Sequence, residues 1–118
     1  MRKFSTICAA TLVALSVSAC GSGGVKRSEA ERYEATSKAI ELFQGCIYYF
    51  VPKLDDGRSD ASTIADAVLG SCRKEAFYVI RAQLGKGASE VMVQRIYHGA
   101  EMKQNPLHEV LRYRREGK

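Results

Sequence analysis

The chain has 118 residues, of which 46% are hydrophobic, and a formal net charge of +5. That length allows one small domain, and this hydrophobic content argues against a disordered chain. Arg2 and Lys3 lie in a segment that we expect to be removed, which leaves sixteen basic residues against thirteen acidic ones, a net charge of +3. A positive charge this small argues against nucleic acid as the main partner.

The first twenty residues have the layout of a secretory signal. They begin with two basic residues, continue with an apolar stretch over 4–17 that serine and threonine interrupt, and end in small residues. The apolar stretch is shorter than the roughly twenty residues that a membrane-spanning helix needs. The segment therefore predicts export rather than membrane insertion.

The end of this segment, Val17-Ser18-Ala19-Cys20, resembles the lipobox of bacterial lipoproteins: an aliphatic residue, two small residues and a cysteine. The resemblance implies a signal peptide over 1–19, a thioether-linked diacylglycerol on Cys20, and an acyl chain on the new N-terminus. Several acyl chains together give lasting membrane anchorage, whereas one binds only marginally. The alternative is an ordinary signal that is cut after a small residue.

Gly21 follows the predicted lipidated cysteine. In enteric-type lipoprotein sorting an Asp at that position retains the protein at the inner membrane. The resemblance therefore implies a cell-envelope protein facing the periplasm, with the outer membrane favoured over the inner one. The segment GSGGVKR completes a predicted flexible tether over 20–27, because glycine and serine lower its tendency to order.

The remaining residues, 28–118, form a predicted helical domain. Ser28 and Glu31 match a capping box, so we expect the first helix to begin there. Pro52 disfavours helix at the residue before it, so we expect that helix to end near Phe50 or Val51. Its apolar residues have a three-four spacing, which places them on one face: Tyr33, Ile40, Phe43, Ile47 and Phe50.

A turn over 53–61 precedes a second helix, from about Ser62 to Leu84, which Ser59 or Asp60 is expected to cap. Gly85 and Gly87 are expected to end it. Its predicted inward face consists of apolar residues at helical spacing: Ile64, Ala65, Val68, Leu69, Cys72, Ala76 and Val79.

Ser89 is the predicted cap of a third helix, and Asn105-Pro106 the predicted start of a short last one. We expect residues 113–118 to fray. The third helix is expected to bury Val91, Met92, Ile96, Ala100 and Met102, and the last one Leu107, Val110 and Leu111. The sequence thus predicts an all-α fold, a small three- to four-helix bundle built on an antiparallel hairpin.

Cys46 and Cys72 are the two cysteines of the exported domain, and a pair in such a domain favours a disulfide. Their midpoint falls in the turn between the first two helices, so an antiparallel hairpin would bring them together. Buried free thiols, or a metal or redox pair, are the alternatives, although there is no Cys-x-x-Cys motif.

Other reactive residue types have simpler interpretations. His98 and Glu101 are three apart on the third helix and would share a face, which favours a solvated contact over a metal or acid–base site. His108 beside Glu109 is a weaker candidate of the same kind. We interpret the remaining candidates as turn, cap or loop residues: Asp55, Asp56, Asp60 and the segment Gly85-Lys86-Gly87. We therefore predict no catalytic, cofactor-binding or metal site.

Tyr48 and Tyr49 are adjacent, so at least one is expected at the surface, where it would anchor a partner or cover the hairpin edge. The basic end of the chain could meet anionic lipid head groups, but its acidic neighbours favour a solvated tail. Its basic residues are Arg112, Arg114, Arg115 and Lys118.

The segment Leu54–Glu75 resembles one found in small exported proteobacterial proteins, in which two cysteine-bearing helices flank a turn rich in Asp, Gly and Ser. The resemblance implies the hairpin and the exported compartment, but no activity.

From these features we expect a non-enzymatic envelope lipoprotein that needs no cofactor and either binds another envelope protein or stays near the membrane as an accessory subunit. The alternative is an immunity or exclusion lipoprotein that protects the envelope from a toxin or a conjugating element, an analogy based on size and class alone.

Overall fold

The computed structural model describes residues 20–117, and within them it contains five helices and no strand. These are α1 (Cys20–Leu54), α2 (Ala61–Ser71), α3 (Arg73–Leu84), α4 (Glu90–Tyr97) and α5 (Ala100–Arg115). The predicted all-α bundle is confirmed. The predicted signal peptide over 1–19 and the last residue, Lys118, lie outside the described residues.

The bundle is built on a disulfide-linked hairpin, as predicted. The sulfur atoms of Cys46 and Cys72 are 2.11 Å apart and their Cα atoms 5.8 Å apart. Cys72 directly precedes α3, and Gly85, which directly follows α3, lies close to Arg32 in the first half of α1. The pairs 46–72 and 32–85 show that α3 runs antiparallel to α1.

The core lies between α1 on one side and α2 and α3 on the other. Side chains of α4 and α5 complete it. The whole predicted inward face of the second helix is buried, which confirms that prediction. The largest fully buried side chains come from all five helices: Val51, Val68, Cys72, Ile80, Val93, Val110 and Pro106.

The second helix is not the single helix over 62–84 that we predicted, because Cys72 interrupts it with φ −100° and ψ 22°. The interruption follows a Gly-Ser pair, and the Ser71 hydroxyl donates to the Ala67 carbonyl, a bond that bends helices. The Cys72 amide still donates to Val68, 2.9 Å away. The two helices therefore form one bent arm.

The bounds of α1 differ from the prediction at both ends. The helix begins at Cys20 rather than Ser28, so the backbone over 21–27 is helical where we predicted a flexible tether. No proline interrupts this segment, and extending an existing helix is far easier than starting one. At the other end, Pro52 lies inside the last turn of α1, where its missing N–H removes one backbone hydrogen bond. The Asp55 amide closes that turn on Val51, 2.9 Å away.

The predicted face of the third helix is partly wrong, although its cap is right: Ile96 and Met102 pack against the core as predicted, but Val91, Met92 and Ala100 are exposed. The Ser89 hydroxyl accepts a bond from the Met92 amide, 3.3 Å away. Val93 and Tyr97 are buried instead, while Val91 is 70% exposed. Tyr97 can be buried because its hydroxyl has a partner, the carbonyl of Leu69.

The last helix is longer than predicted. α5 begins at Ala100, directly after Gly99, and passes through Pro106 to Arg115, so residues 113–115 do not fray. A Cβ at Gly99 would lie 3.1 Å from the Ile96 carbonyl oxygen, which favours glycine at this chain reversal. The Pro106 ring is buried in the bundle, which offsets its missing donor.

Candidate protein-docking surface

The two histidines do not form part of a reactive cluster. His98 ends α4 and Glu101 lies in the first turn of α5, with Gly99 between them, so the prediction that they share a helix face is wrong. His98 packs edge-on against Tyr97, and His108 is exposed in α5. Within the part of the chain that the structure describes, no three His, Cys, Asp or Glu residues lie close enough to hold a metal ion.

The acidic turn between α1 and α2 is stabilised by its own backbone, as predicted. Asp56 accepts bonds from the Ser59 hydroxyl (2.6 Å), the Ser59 amide (2.7 Å) and the Arg58 amide (2.9 Å). These donors, the Ser59 hydroxyl first, lower the pKa of Asp56 to about 2. Asp60 caps α2 by accepting from the Ser62 amide, 2.9 Å away. These carboxylates are therefore occupied with turn and cap formation.

Asp55 accepts a turn bond from the Gly57 amide at 3.0 Å, as predicted, and has a second role that the sequence did not reveal. The Arg114 guanidinium donates to both of its carboxylate oxygens, from Nη2 at 2.6 Å and from Nε at 3.0 Å, and also to the Ser59 carbonyl at 2.6 Å. The Asp55 side chain is only 2% exposed. This bond from Arg114 lowers the pKa of Asp55 and raises that of Arg114. No local signal relates two residues this far apart in the chain.

The basic end of the chain is therefore not a solvated tail throughout. Arg112 pairs with Glu109 and, at 2.5 Å, with Glu116, and the bond to Glu109 is the main reason that its pKa is raised. Arg115 is exposed. Two of the four predicted basic residues thus form contacts within the domain.

α1 carries four large exposed apolar residues, and the most exposed is Tyr33 at 75%, so its predicted place on the buried face is wrong. We call the other three, which lie near the disulfide, the tyrosine surface: Leu42, Tyr48 and Tyr49. Their side chains are 50%, 54% and 57% exposed. Phe43 and Ile47, beside them in the sequence, are buried. We predicted at least one of the two tyrosines at the surface, and both lie there.

Neighbouring side chains limit the freedom of both tyrosines. The Tyr49 ring meets the Phe50 ring edge-on, with centroids 5.0 Å apart, and the Lys53 ammonium lies 3.4 Å from the Tyr49 centroid. The Arg112 guanidinium lies 5.9 Å from the Tyr48 centroid. Cys46, between Leu42 and the tyrosines, fixes this part of α1 to the bent arm. Each tyrosine ring therefore has contacts that favour one orientation before any partner binds.

These features define a small, disulfide-linked helical domain with an exposed aromatic surface on its longest helix. Comparison with known protein families, with curated proteins and with solved structures finds no match to this chain. Among the described residues, no helix combines the length and the apolar character that crossing a membrane requires. The lipobox resemblance and the resemblance of Leu54–Glu75 stay predictions.

Proposed function

We propose that this chain is a non-enzymatic lipoprotein of the cell envelope, anchored by lipid on Cys20, whose helical domain binds another envelope protein through the tyrosine surface. The anchor faces the periplasm, with the outer membrane favoured by Gly21. The observation that carries the proposal is the exposure of Leu42 and Tyr49, seven residues apart on one stripe of α1, with Tyr48 also exposed about 100° round a helix that the disulfide fixes in place.

Tyrosine suits such a role because it offers a large apolar ring and a polar hydroxyl while losing little conformational freedom. Binding costs free energy whenever mobile side chains must become ordered. Lys53 and Arg112 already restrict the two rings, so less of that cost remains to be met on binding. A rigid aromatic surface of this kind supports a docking role.

The anchor is tested by the intact mass of the protein purified from the membrane fraction. We expect a chain that begins at Cys20 and carries the added mass of a diacylglycerol and an acyl chain. Cys20→Ser should lose this mass and move the protein out of the membrane fraction. An unacylated wild-type chain would refute the anchor while leaving the docking surface untouched.

The docking surface is tested by photo-cross-linking in living cells. A photoreactive amino acid at Tyr49 should give a discrete adduct with one envelope protein, and the same amino acid at Val91, which is 70% exposed on α4, should not. Adding Leu42→Glu should abolish the adduct without lowering the melting temperature, since Leu42 is half exposed. Equal adducts from both positions, or none from Tyr49, would contradict the proposal.

A further inference from the structure

A second surface, distinct from the tyrosine surface, lies where the first half of α1 passes the end of α3. Here a groove of about 780 Å³ opens between the two helices and the loop that follows α3. Three small apolar side chains, Ala35, Ala82 and Ala88, which we call the alanine floor, line it together with Tyr78. The groove therefore offers apolar contact along two rigid helices.

The groove is positively charged. Arg32 and Lys86 line it, and among residues 29–117 neither has a carboxylate within salt-bridge distance. A third cation, Arg81, is paired with Glu90 at 2.9 Å. The one acidic residue in the lining is Glu31. Two unpaired cations against one carboxylate leave a net positive charge beside the apolar floor.

The loop at the end of the groove has a fixed shape. Gly85 has φ 83° and ψ −177°, a conformation that essentially only glycine adopts. Its amide donates to the Arg81 carbonyl at 3.0 Å, and its carbonyl accepts from the Ala88 amide at 3.4 Å. The Arg32 guanidinium lies 4.0 Å from the position that a Cβ at Gly85 would take. The loop thus places Lys86, the next residue, close to Arg32.

We propose that this groove binds an acidic peptide segment of a partner protein, with its carboxylates on Arg32 and Lys86 and its apolar side chains on the alanine floor. Arg pairs with carboxylates through two parallel bonds, which adds specificity as well as affinity. An amphipathic helix laid in an apolar groove is a common mode of peptide recognition. The proposal does not depend on the lipid anchor or on the tyrosine surface.

Two other occupants fit the groove less well. A small molecule is usually enclosed over most of its surface, whereas Arg32, Ala35 and Lys86 are all exposed side chains of an open groove. A phosphate ion or a lipid head group would use the two cations but leave the alanine floor and Tyr78 without contacts. A peptide that is both acidic and apolar uses the whole groove.

The proposal is tested with a display library of random twelve-residue peptides, selected on the protein as cells produce it. We expect the selected peptides to combine Asp or Glu with apolar residues. In fluorescence anisotropy, a selected peptide should bind at least tenfold more weakly to the double variant Arg32→Glu/Lys86→Glu, and also measurably more weakly to Arg32→Gln/Lys86→Gln. Arg115→Glu, an exposed charge at the far end of the bundle, and Leu42→Glu in the tyrosine surface are the matched controls and should bind as the wild type does.

Specific results would overturn the proposal. These are selected peptides without acidic residues, no peptide selected above background, or affinity unchanged by both double variants. Phosphatidylglycerol vesicles and inorganic phosphate are tested in parallel, and displacement of the peptide by either at equal anion concentration would assign the groove to a lipid or phosphate instead. Light scattering that showed a dimer disrupted by Arg32→Glu/Lys86→Glu would assign it to a second copy of the chain.

Discussion

Arg114, in the last turn of the chain's last helix, holds both carboxylate oxygens of Asp55, which lies 59 residues earlier at the end of α1. The same guanidinium also bonds to the Ser59 carbonyl just before α2. One side chain therefore joins the end of α5 to the connection between the first two helices.

We expect the stability of the domain to fall between about pH 4 and pH 2. The pKa values of Asp55 and Asp56 lie below their ordinary value of 3.8 in the folded chain, that of Asp56 at about 2. A carboxyl group whose pKa is lowered by folding stabilises the fold above its unfolded pKa, and this contribution is lost as pH falls through the folded pKa.

Thermal unfolding across this pH range is the measurement. The melting temperature of Asp55→Asn should be lower than that of the wild type at pH 7, and should change less between pH 4 and pH 2. Glu101→Gln, which removes an exposed carboxylate, should behave as the wild type does. A wild-type melting temperature that stays constant from pH 4 to pH 2 would show that neither aspartate matters for stability.

Removing the disulfide should cost about 3.5 kcal/mol of unfolding free energy, because it closes a loop between residues 26 apart. Urea unfolding of the double variant Cys46→Ala/Cys72→Ala measures this cost. A reductant should destabilise the wild type by a similar amount and leave the double variant unchanged. If the reductant destabilised both proteins equally, its effect would not come from breaking the Cys46–Cys72 disulfide.

Tyr97→Phe should destabilise the domain by about 1 kcal/mol, the usual net contribution of one hydrogen bond. The Tyr97 hydroxyl donates to the Leu69 carbonyl at 3.3 Å. Leu69 lies in the last turn of α2, where backbone carbonyls have no amide donor within the same helix. Chemical denaturation measures the change. Tyr78→Phe, at an exposed ring, is the matched control, and equal effects of the two substitutions would contradict a special role for the buried hydroxyl.

Gly85→Ala should cost about 1–3 kcal/mol, because an alanine must adopt the strained backbone at φ 83° and ψ −177°. The added Cβ would lie in ordinary van der Waals contact with the Arg32 guanidinium, 4.0 Å away, so no steric clash adds to the backbone strain. Gly87→Ala, two residues later, has open space and no positive φ, and should be neutral. If both alanine variants unfold at the same urea concentration, the backbone at Gly85 is not strained.

The sequence predicted those features that follow from local chemistry. Asp60 and Ser89 could be identified as caps because a side-chain oxygen before an apolar repeat satisfies the first free amides. The buried face of the second helix followed from its spacing. The pairing of Cys46 with Cys72 followed from their positions on either side of one turn.

The features that the sequence did not predict depend on tertiary contacts. Pro106 indicates a helix start by itself, but its ring is buried in the middle of α5, and the helix continues through it. Tyr97 is buried because the distant Leu69 carbonyl accepts a hydrogen bond from its hydroxyl. Arg114 belongs to a basic run that suggests a solvated tail, and only the folded chain brings Asp55 to it. The groove likewise arises from two helices that the sequence could not align in detail.

The length of α1 has a consequence for how far a partner must reach. An α-helix rises about 1.5 Å per residue, so Leu42 lies about 33 Å along the helix axis from Cys20, and Tyr49 about 44 Å. If the chain is anchored at Cys20 and α1 stands upright on the membrane, the helix holds the tyrosines at a fixed distance from the membrane, whereas a flexible tether would let that distance vary. Only partners that project a comparable distance from the same membrane, or approach from across the periplasm, would then meet the two tyrosines.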